Sequence, residues 1–537
     1  VVETSDRPAP SAWAPLRVAA FRALWIAQLF SLVGTWMQTV GAQWLLVDEP
    51  NAAVLVSMVQ AAAMLPTLVL ALPAGALADM LDRRRLLIAV QLFQVAVGAA
   101  LTLLAALDRL PPSLLLTATF LLGVGTTLTI PAYQAFVQEL VGHEHIRSAA
   151  ALNGVAMNLA RAIGPAIAGL LIGWLGVTVV FALNACTYVA MAVVLGTLRG
   201  PERPEEQLLP ERFGGALVAG ARYVRHSLVI RRMLLRTLLF VVPGAALWAL
   251  LPLVASSLLQ LDASGYGVLL GALGIGAVAG AALLPRVVAL LSPTRLALAA
   301  GVVFGLATMA CAFAPNLAVA VLALVPAGVA WLCMLATTNG SLQVFLPGWV
   351  RARGLSIYQM VFAGGQALAS IGWGLLADWL GLVPVLVAAG ALLVVGAGTV
   401  VVWPLRDISD MNRQPAIFWP EPHLDVEPGL EDGPVVVTVT YRVPAENEAA
   451  FLSMMTKVRR MKLRTGAVGL ALYRDGADAA RFVEVAEYPS WAEHLRQHRG
   501  RLTGSDRDLY RAAAALAVDR PEVQHLLPSS GAGRSPS

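Results

Sequence analysis

Among the 537 residues of this chain, Arg161 has the most chemistry to explain. It sits near the middle of an apolar run, 148–175. If that run crosses a bilayer, a cation there costs at least about 2.5–3.5 kcal/mol on insertion scales. Such a residue turns away from lipid. Either it meets an anionic substrate or a coupling carboxylate, or it is a structural cation bonded to helix carbonyls or to amides such as Asn158. Glu139, beside Gln134 and Gln138, is the carboxylate best placed to carry a proton if burial raises its proton affinity; an ion-paired or solvated Glu near the loop at Gly142 is the alternative. Asp378 has the same two readings at the end of a later run. Gln38, Gln359, Asn153, Gln343 and other amides are numerous for such apolar segments, so some line a polar path while others bond helix to helix. Trp36 and Trp44 add either an aromatic wall or packing.

A second group of residues concerns movement rather than binding. Gly75, Ala76 and Asp79 close an apolar run and deliver Arg83, Arg84 and Arg85. A carboxylate at such a helix end can cap the amino end of another helix, here near Arg353-Gly354, while the arginines set orientation. Gly164 and Gly169 permit close helix contact, and Pro165 between them removes one backbone donor and kinks the helix. Nearer the C-terminus, His494 and His498 are four apart on a helical stretch. Two imidazoles without a third ligand are expected to be surface histidines, so no metal is expected. With no Walker-type phosphate loop, ATP hydrolysis is not expected either. No catalytic residues and no cofactor are indicated.

The elements that carry these residues follow from composition. The chain is 58% hydrophobic and only 13% charged, against about 25% charged in soluble domains. The deficit lies in the first 400 residues or so, while the remainder has a soluble composition. A bilayer core of about 30 Å takes ~20 apolar residues per helix, and that ruler gives twelve spans. Six occupy 21–198 and six occupy 232–404, with a polar linker at 199–231 whose part from Arg212 to His226 is expected to be a short amphipathic helix. Every even-numbered loop carries arginine and the odd-numbered loops carry a single cation, Arg109. By the positive-inside rule both termini and the linker are cytoplasmic. The net charge of +5 therefore reflects loops, not nucleic-acid binding. The first 20 residues form a cytoplasmic segment without an apolar h-region, so insertion is expected to start from the first span. Cys186, Cys311 and Cys333 lie in apolar runs and read as small core residues.

The two halves repeat at an offset of 205. Gly75-Ala76 falls on Gly280-Ala281, Gly169-Leu170-Leu171 on Gly374-Leu375-Leu376, and Trp174-Leu175-Gly176 on Trp379-Leu380-Gly381. Parallel six-helix repeats are a transporter architecture with the substrate path between the halves.

These features resemble the major facilitator superfamily. Gly75-x-x-x-Asp79-x-x-x-Arg83-Arg84 is similar to its loop after span two, with Met80 and Asp82 where Arg and Gly are usual. Gly164-Pro165-x-x-Ala168-Gly169 resembles the antiporter motif of exporting members. With Gly34-Thr35-Trp36-Met37-Gln38-Thr39 and Leu152-Asn153 through Arg161, the resemblance is to the bacterial secretion-effector branch, which includes enterobactin-type siderophore exporters and macrolide exporters. It implies export of a small molecule by alternating access with proton antiport, in a bacterial inner membrane. It also implies that Asp79 engages the other half to lock the outward-facing state.

Residues 405–433 read as a Pro-rich acidic linker, 434–526 as a small soluble α+β domain and 527–537 as disordered. Strands are expected at Val435–Val443, Val468–Tyr473 and Arg481–Tyr488, and helices at Ala445–Leu463 and Ser490–Ala517. That order suggests a ferredoxin-like fold. Trp491-x-x-His494 after a strand with Glu484 and Glu487 resembles the antibiotic-biosynthesis-monooxygenase type of dimeric α/β barrel. The resemblance leaves two roles open for the tail: a membrane-tethered monooxygenase-like enzyme, or a regulatory domain that forms a homodimer. The expected partners of the whole chain are a small-molecule substrate, protons and membrane lipid.

Overall fold

The structure is a computed structural model that describes residues 13–198, 213–404 and 428–528, with positions 412, 414, 416, 424 and 426 between them. Side chains at 79, 143, 147, 213–217 and 499 lie outside the described set. So do most of the expected N-terminal segment, linker 405–433 and tail from 529.

Six helices come first: α1 (Ala19–Trp44), α2 (Ala52–Met80), α3 (Arg83–Ala106), α4 (Pro112–Val141), α5 (Ile146–Leu175) and α6 (Val177–Thr197). After the linker helix α7 (Phe213–His226) come α8 (Leu228–Leu253, extended by a π-helical turn Val254–Leu258), α9 (Ala263–Leu290), α10 (Pro293–Ala312), α11 (Leu317–Phe345), α12 (Gly348–Leu380) and α13 (Leu382–Gly398). Among the described residues, ten of these helices are long and apolar enough to cross a membrane by length and composition. α1 is long but interrupted by Arg22, Gln28, Gln38 and Gln43, and α13 has only 17 residues. The helix ends follow local chemistry. Asp82 accepts from the Arg85 amide to cap α3, Asp262 does the same for α9, and Ser292 for α10. Asp82, out of place in the family loop pattern, is thus a helix cap. Outward-facing positions such as Leu322, Leu103, Val193 and Ile275 are exposed and apolar, as a surface that meets hydrocarbon requires.

Two compact units emerge from the contacts. The first comprises α1–α6 with 234–338 and 356–405. Within it α1 packs on α5 and α6, α2 on α4, α3 on α4 and α6, and α10 on α13, while α5 and α9 join the two groups of helices. Its largest core cluster runs from Val33 and Met37 through Phe240, Trp248 and Phe304 to Leu393. Cys186 is exposed rather than in this core, whereas Cys311 and Cys333 are buried.

The second unit comprises 209–233, 339–355 and 406–537. It holds a four-stranded antiparallel sheet: β1 (Val435–Arg442), β2 (Gly469–Arg474), β3 (Arg481–Tyr488) and β4 (Glu522–Leu526), in the order β2-β3-β1-β4. Val435 pairs with Tyr488, Val436 also with Leu526, and Leu470 with Ala486. α14 (Glu448–Thr465) links β1 to β2. The expected single helix Ser490–Ala517 is instead α15 (Trp491–Arg496), a π-helical turn Gln497–Arg501, and α16 (Gly504–Ala514). The break is chemical: the Thr503 hydroxyl and the Asp506 carboxylate form a capping box that starts a new helix there. Alternating burial along β1 places Val435, Val437, Val439 and Tyr441 against Phe451, Met455 and Val458 of α14.

Candidate functional site

Arg161 lies halfway along α5, where α9 crosses it. A Cβ on Gly274 of α9 would fall 2.9 Å from Arg161 O, so the two backbones are in direct contact at this level. One turn further along α5, Gly164 has no room for a Cβ because it would lie 2.8 Å from Trp36 Cβ and 3.2 Å from Val33 O of α1. This close approach brings the Trp36 ring under the cation, with Arg161 Cζ 5.5 Å from its centroid. The guanidinium makes no ion pair among the described residues, and its buried Nε has no hydrogen-bond partner. Asn158, the expected amide partner, is turned elsewhere and donates to Gly154 O at 2.9 Å.

From Trp36 an aromatic ladder leads into the second group of helices. Trp36 lies 6.1 Å from Trp248 of α8, Trp248 lies 5.4 Å from Trp331 of α11, and Trp331 contacts Phe304, Phe240 and Phe362. The indole nitrogen of Trp248 is buried and without an acceptor. Gln38 is buried as well; its carbonyl accepts from Asn184 at 3.5 Å while its Nε2 has no partner. Buried donors without acceptors cost about 1–3 kcal/mol each. Guanidinium and indole, joined through Trp36, leave two buried donors without partners beside an aromatic wall, with no ion pair to Arg161 among the described residues; Gln38 lies apart, on the α1 face that meets α6. Gln359 stands apart on an exposed face of α12. Trp248, Trp331 and their neighbours escape sequence reading, because aromatic residues in apolar runs give no signal of mutual stacking.

At one end of this unit the two groups of helices close on each other. The Tyr266 hydroxyl of α9 donates to Gln43 Oε1 of α1 at 2.6 Å, and Trp44 stacks on Tyr266. A Cβ on Gly169 would lie 3.0 Å from Gly267 Cα, and one on Gly374 would lie 2.7 Å from Ala53 O. Pro165 sits between Gly164 and Gly169 inside an unbroken α5, its own carbonyl 2.7 Å from the position a Gly267 Cβ would take.

The arginine-rich turn after α2 is tied down by its own neighbours. Arg83 forms an ion pair with Glu139 of α4 and donates to Ala78 O at 3.3 Å. Arg84 donates to Leu195 O and Gly196 O, at 2.7 and 2.6 Å, where α6 ends with unpaired carbonyls. Gly75 has open space beside it. The Asp79 carboxylate lies outside the described side chains. Arg236 of α8, absent from the sequence reading, does for α13 what Arg84 does for α6: it donates to Gly396 O, Thr399 Oγ1 and Trp403 O at 3.1, 2.6 and 2.6 Å.

In the second unit the expected surface histidines are buried. His494 and His498 are 2% and 8% exposed, and β4 brings His525 to them, its Nε2 3.1 Å from that of His494. Burial, then His498, His525 and Lys462, push His494 down to about 2, so it is neutral. Among the described residues no group of three ligands is arranged to hold a metal. Beneath the sheet, Lys462 and Glu484 form a buried ion pair at 2.6 Å, and the Tyr441 hydroxyl donates to Glu484 at 3.0 Å. Burial alone would lower Lys462, and the Glu484 carboxylate overrides it.

Apolar helices in two groups that close on each other at one end, with a half-buried cation midway along α5 that makes no ion pair among the described residues, define a polytopic membrane protein of the transporter type. The profile of the transmembrane secretion effector family matches residues 10–531, and the chain belongs to that family of major facilitator transporters. It is 24% identical over 292 residues to the staphyloferrin A transporter of Staphylococcus aureus, covering 52% of this chain and 70% of that one. It is 24% identical over 236 residues to macrolide efflux protein A of Streptococcus pyogenes, covering 44% and 58%. The match to the multidrug efflux pump Tap of Mycolicibacterium fortuitum is 28% over 219 residues, 38% of this chain and 52% of that one. The chain thus spans between half and two-thirds of most of these curated relatives. Among solved structures, a bacterial homologue of the lysosomal transporter Spinster, inward-facing and unoccupied, superposes with a TM-score of 0.57 at 14% identity over 72% of this chain and 96% of that one. A D-xylose–proton symporter gives 0.56 at 15%, over 72% and 97%. These last two establish the fold alone.

Proposed function

We propose that this protein is a secondary active exporter of small organic molecules, siderophore-like or drug-like, and that its substrate carries an anionic group received by Arg161. The observation that carries this is the guanidinium itself, set over Trp36 where α5 and α9 cross, with no carboxylate among the described residues to balance it. A cation within a membrane segment almost always faces the bundle interior or a water-filled cavity, or pairs with a partner, and a substrate that arrives and leaves meets its charge transiently. The aromatic ladder beside it suits an apolar body attached to that anion. The relatives named for macrolide and multidrug efflux support export as the direction, and the one named for staphyloferrin A supports a siderophore-like cargo.

In this reading α1 and α13 complete twelve spans in two six-helix repeats, the arginine-bearing loops and both termini face the cytoplasm, and the inner membrane of a bacterium is the location. Transport runs by alternating access, with Gly164-Pro165-Gly169 as the bending element of α5 and Asp79 as a gate between the halves. Protons exchanged for substrate would use Glu139, freed from Arg83 during the cycle. The tail is a ferredoxin-like domain with a regulatory role.

The test is export from a pump-deficient bacterium, screening organic anions, siderophores and macrolides, with Arg161→Ala and Arg161→Lys beside the parent. Loss of export in Arg161→Ala, with partial retention in Arg161→Lys, is the expected result. Normal transport of every identified substrate by Arg161→Ala would remove the site assignment.

A further inference from the structure

In the second unit, α15 and its π-helical turn touch two other helices at once, α7 and α12. Glu493 of α15 accepts from Arg501 of the turn at 2.7 and 3.0 Å and faces Arg222 of the linker helix α7 at 3.7 Å. Arg222 also donates to Gly466 O, at the end of α14, at 2.7 Å. Arg501 stacks over Trp349 at 4.6 Å, and Trp349 meets Tyr223 of α7 edge-on at 5.6 Å. Arg464, which is ion-paired to Asp506, lies over the Tyr223 ring at 5.6 Å. One short segment, 491–501, therefore helps hold α7 and the first turn of α12, and α12 runs on without a break to Leu380.

The same segment carries two of the three clustered histidines. His494 is one residue from Glu493, and His498 is three from Arg501. The ring of His494 is enclosed by Tyr488 of β3, Trp491, His498 and His525 of β4, with centroids 4.5–5.2 Å away, and its Nδ1 has no partner. The charge facing the cluster is another cation, Lys462 of α14, held by Glu484 of β3 and lying 5.7 Å from the Tyr510 ring of α16. Glu493 turns its carboxylate to Arg222, Arg496 and Arg501 instead. Nothing anionic among these neighbours is free to welcome an imidazolium. π-helical turns are rare and concentrate at functional positions, and this one joins the histidines to the arginine that grips Trp349.

We propose that segment 491–501 is an acid-released clasp, which holds the linker helix and the first turn of α12 at neutral pH and lets go when the His494–His498–His525 cluster takes up protons. The sign follows from linkage. A histidine neutral when clasped and free to charge when released binds more protons in the released state, so the clasp weakens as pH falls below about 6.5, by about tenfold per pH unit for each such histidine. This extends the regulatory role given to the tail above, and its readout is not transport, so it stands or falls apart from the export reading.

The experiment is hydrogen exchange of the full chain in lipid nanodiscs at pH 7.5 and 5.5, with rates corrected for chemical exchange. Protection of 213–226 is expected to fall at least about tenfold at the lower pH, while strands 435–442 and 481–488 stay protected. Glu493→Gln should show the released pattern already at pH 7.5, and His525→Gln or His494→Phe should blunt the acid response. Unchanged protection of α7 in the parent chain at pH 5.5 would overturn the proposal. So would loss of protection in the strands together with α7, because that is unfolding of the sheet rather than release.

Discussion

Gly169 and Gly374, 205 residues apart, make matching contacts from opposite halves of the repeat. Gly169 lies against the start of α9 at Ala263 and Gly267, and Gly374 lies against the start of α2 at Ala53 and Ser57. α2 and α9 are the second helices of their respective groups. The internal repeat is thus a repeat of contacts, and both contacts seal the same end. Substituting either glycine by Leu inserts a side chain where not even a Cβ fits, and overpacking of this kind costs about 1–3 kcal/mol. Gly169→Leu and Gly374→Leu are expected to hold this end apart. Labelling of a cysteine introduced at Gln43 should rise in both, and export should fall at least about fivefold.

The pairing of Arg161 with Trp36 predicts a dependence on the glycine that sets it. Charge-assisted contacts are worth about 1.5–3 kcal/mol, which corresponds to roughly a 10- to 100-fold loss of apparent substrate affinity for Arg161→Ala. Gly164→Ala leaves the guanidinium in place but displaces Trp36. It should raise the KM of export with a smaller change in maximal rate, and a KM unchanged in Gly164→Ala would separate Trp36 from the site.

Arg83 and Glu139 are a pair whose two members answer different questions. If Glu139 carries the coupled proton, Glu139→Gln should abolish export driven by a pH gradient yet preserve exchange of labelled for unlabelled substrate in liposomes. If Glu139 serves only to hold Arg83, both modes should fall together, and a double-mutant cycle with Arg83→Ala should show coupling in protein stability.

Arg84 and Arg236 close the last helix of each group by donating to its terminal carbonyls. Removing either guanidinium leaves those carbonyls to find other donors. Arg236 is the more buried, at 5% exposure, and Arg236→Ala is expected to destabilise the folded protein by about 1.5–3 kcal/mol. A lowered midpoint of thermal unfolding in detergent, larger for Arg236→Ala than for Arg84→Ala, is the result to look for.

Under the sheet, Lys462 and Glu484 are both nearly inaccessible. Breaking such a pair by removing one member costs about 3–5 kcal/mol, whereas replacing both by apolar residues of similar volume is often neutral. Lys462→Met should therefore strip hydrogen-exchange protection from β1 and β3 in the full chain. Lys462→Met with Glu484→Leu should restore much of it, less the hydrogen bond that Tyr441 loses.

The helices of the membrane part were legible because an apolar run of fixed length announces itself, and the amphipathic stretch before Leu228 showed as α7. The first three strands of the tail showed through their alternation. β4 did not: Glu522-Val-Gln-His-Leu is a short, mostly exposed edge strand that follows a proline, and only its pairing with β1 makes it a strand. Missing β4 meant missing His525, and without His525 the pair His494–His498 had no reason to be inside. Arg236 was hidden for a similar reason, since its carbonyl partners lie more than 150 residues away. Asp82 was visible but read against a family pattern, when its local meaning was a cap on α3. The candidate site was legible in its cation and its small residues. Its aromatic ladder depends on which helices are neighbours, and no local pattern states that.

The second unit draws on three separated stretches of chain, 209–233, 339–355 and 406–537, with Tyr223 from the first and Trp349 from the second among its contacts. The tail is consequently not an interchangeable cassette. Grafting residues 428–528 onto a relative would supply Arg464 and Arg501 but neither of the rings they grip, and Glu493 without Arg222. A working chimera should need α7 and the turn before α12 transplanted with it, and cutting the tail away should leave Tyr223 and Trp349 as newly bared, sticky surface.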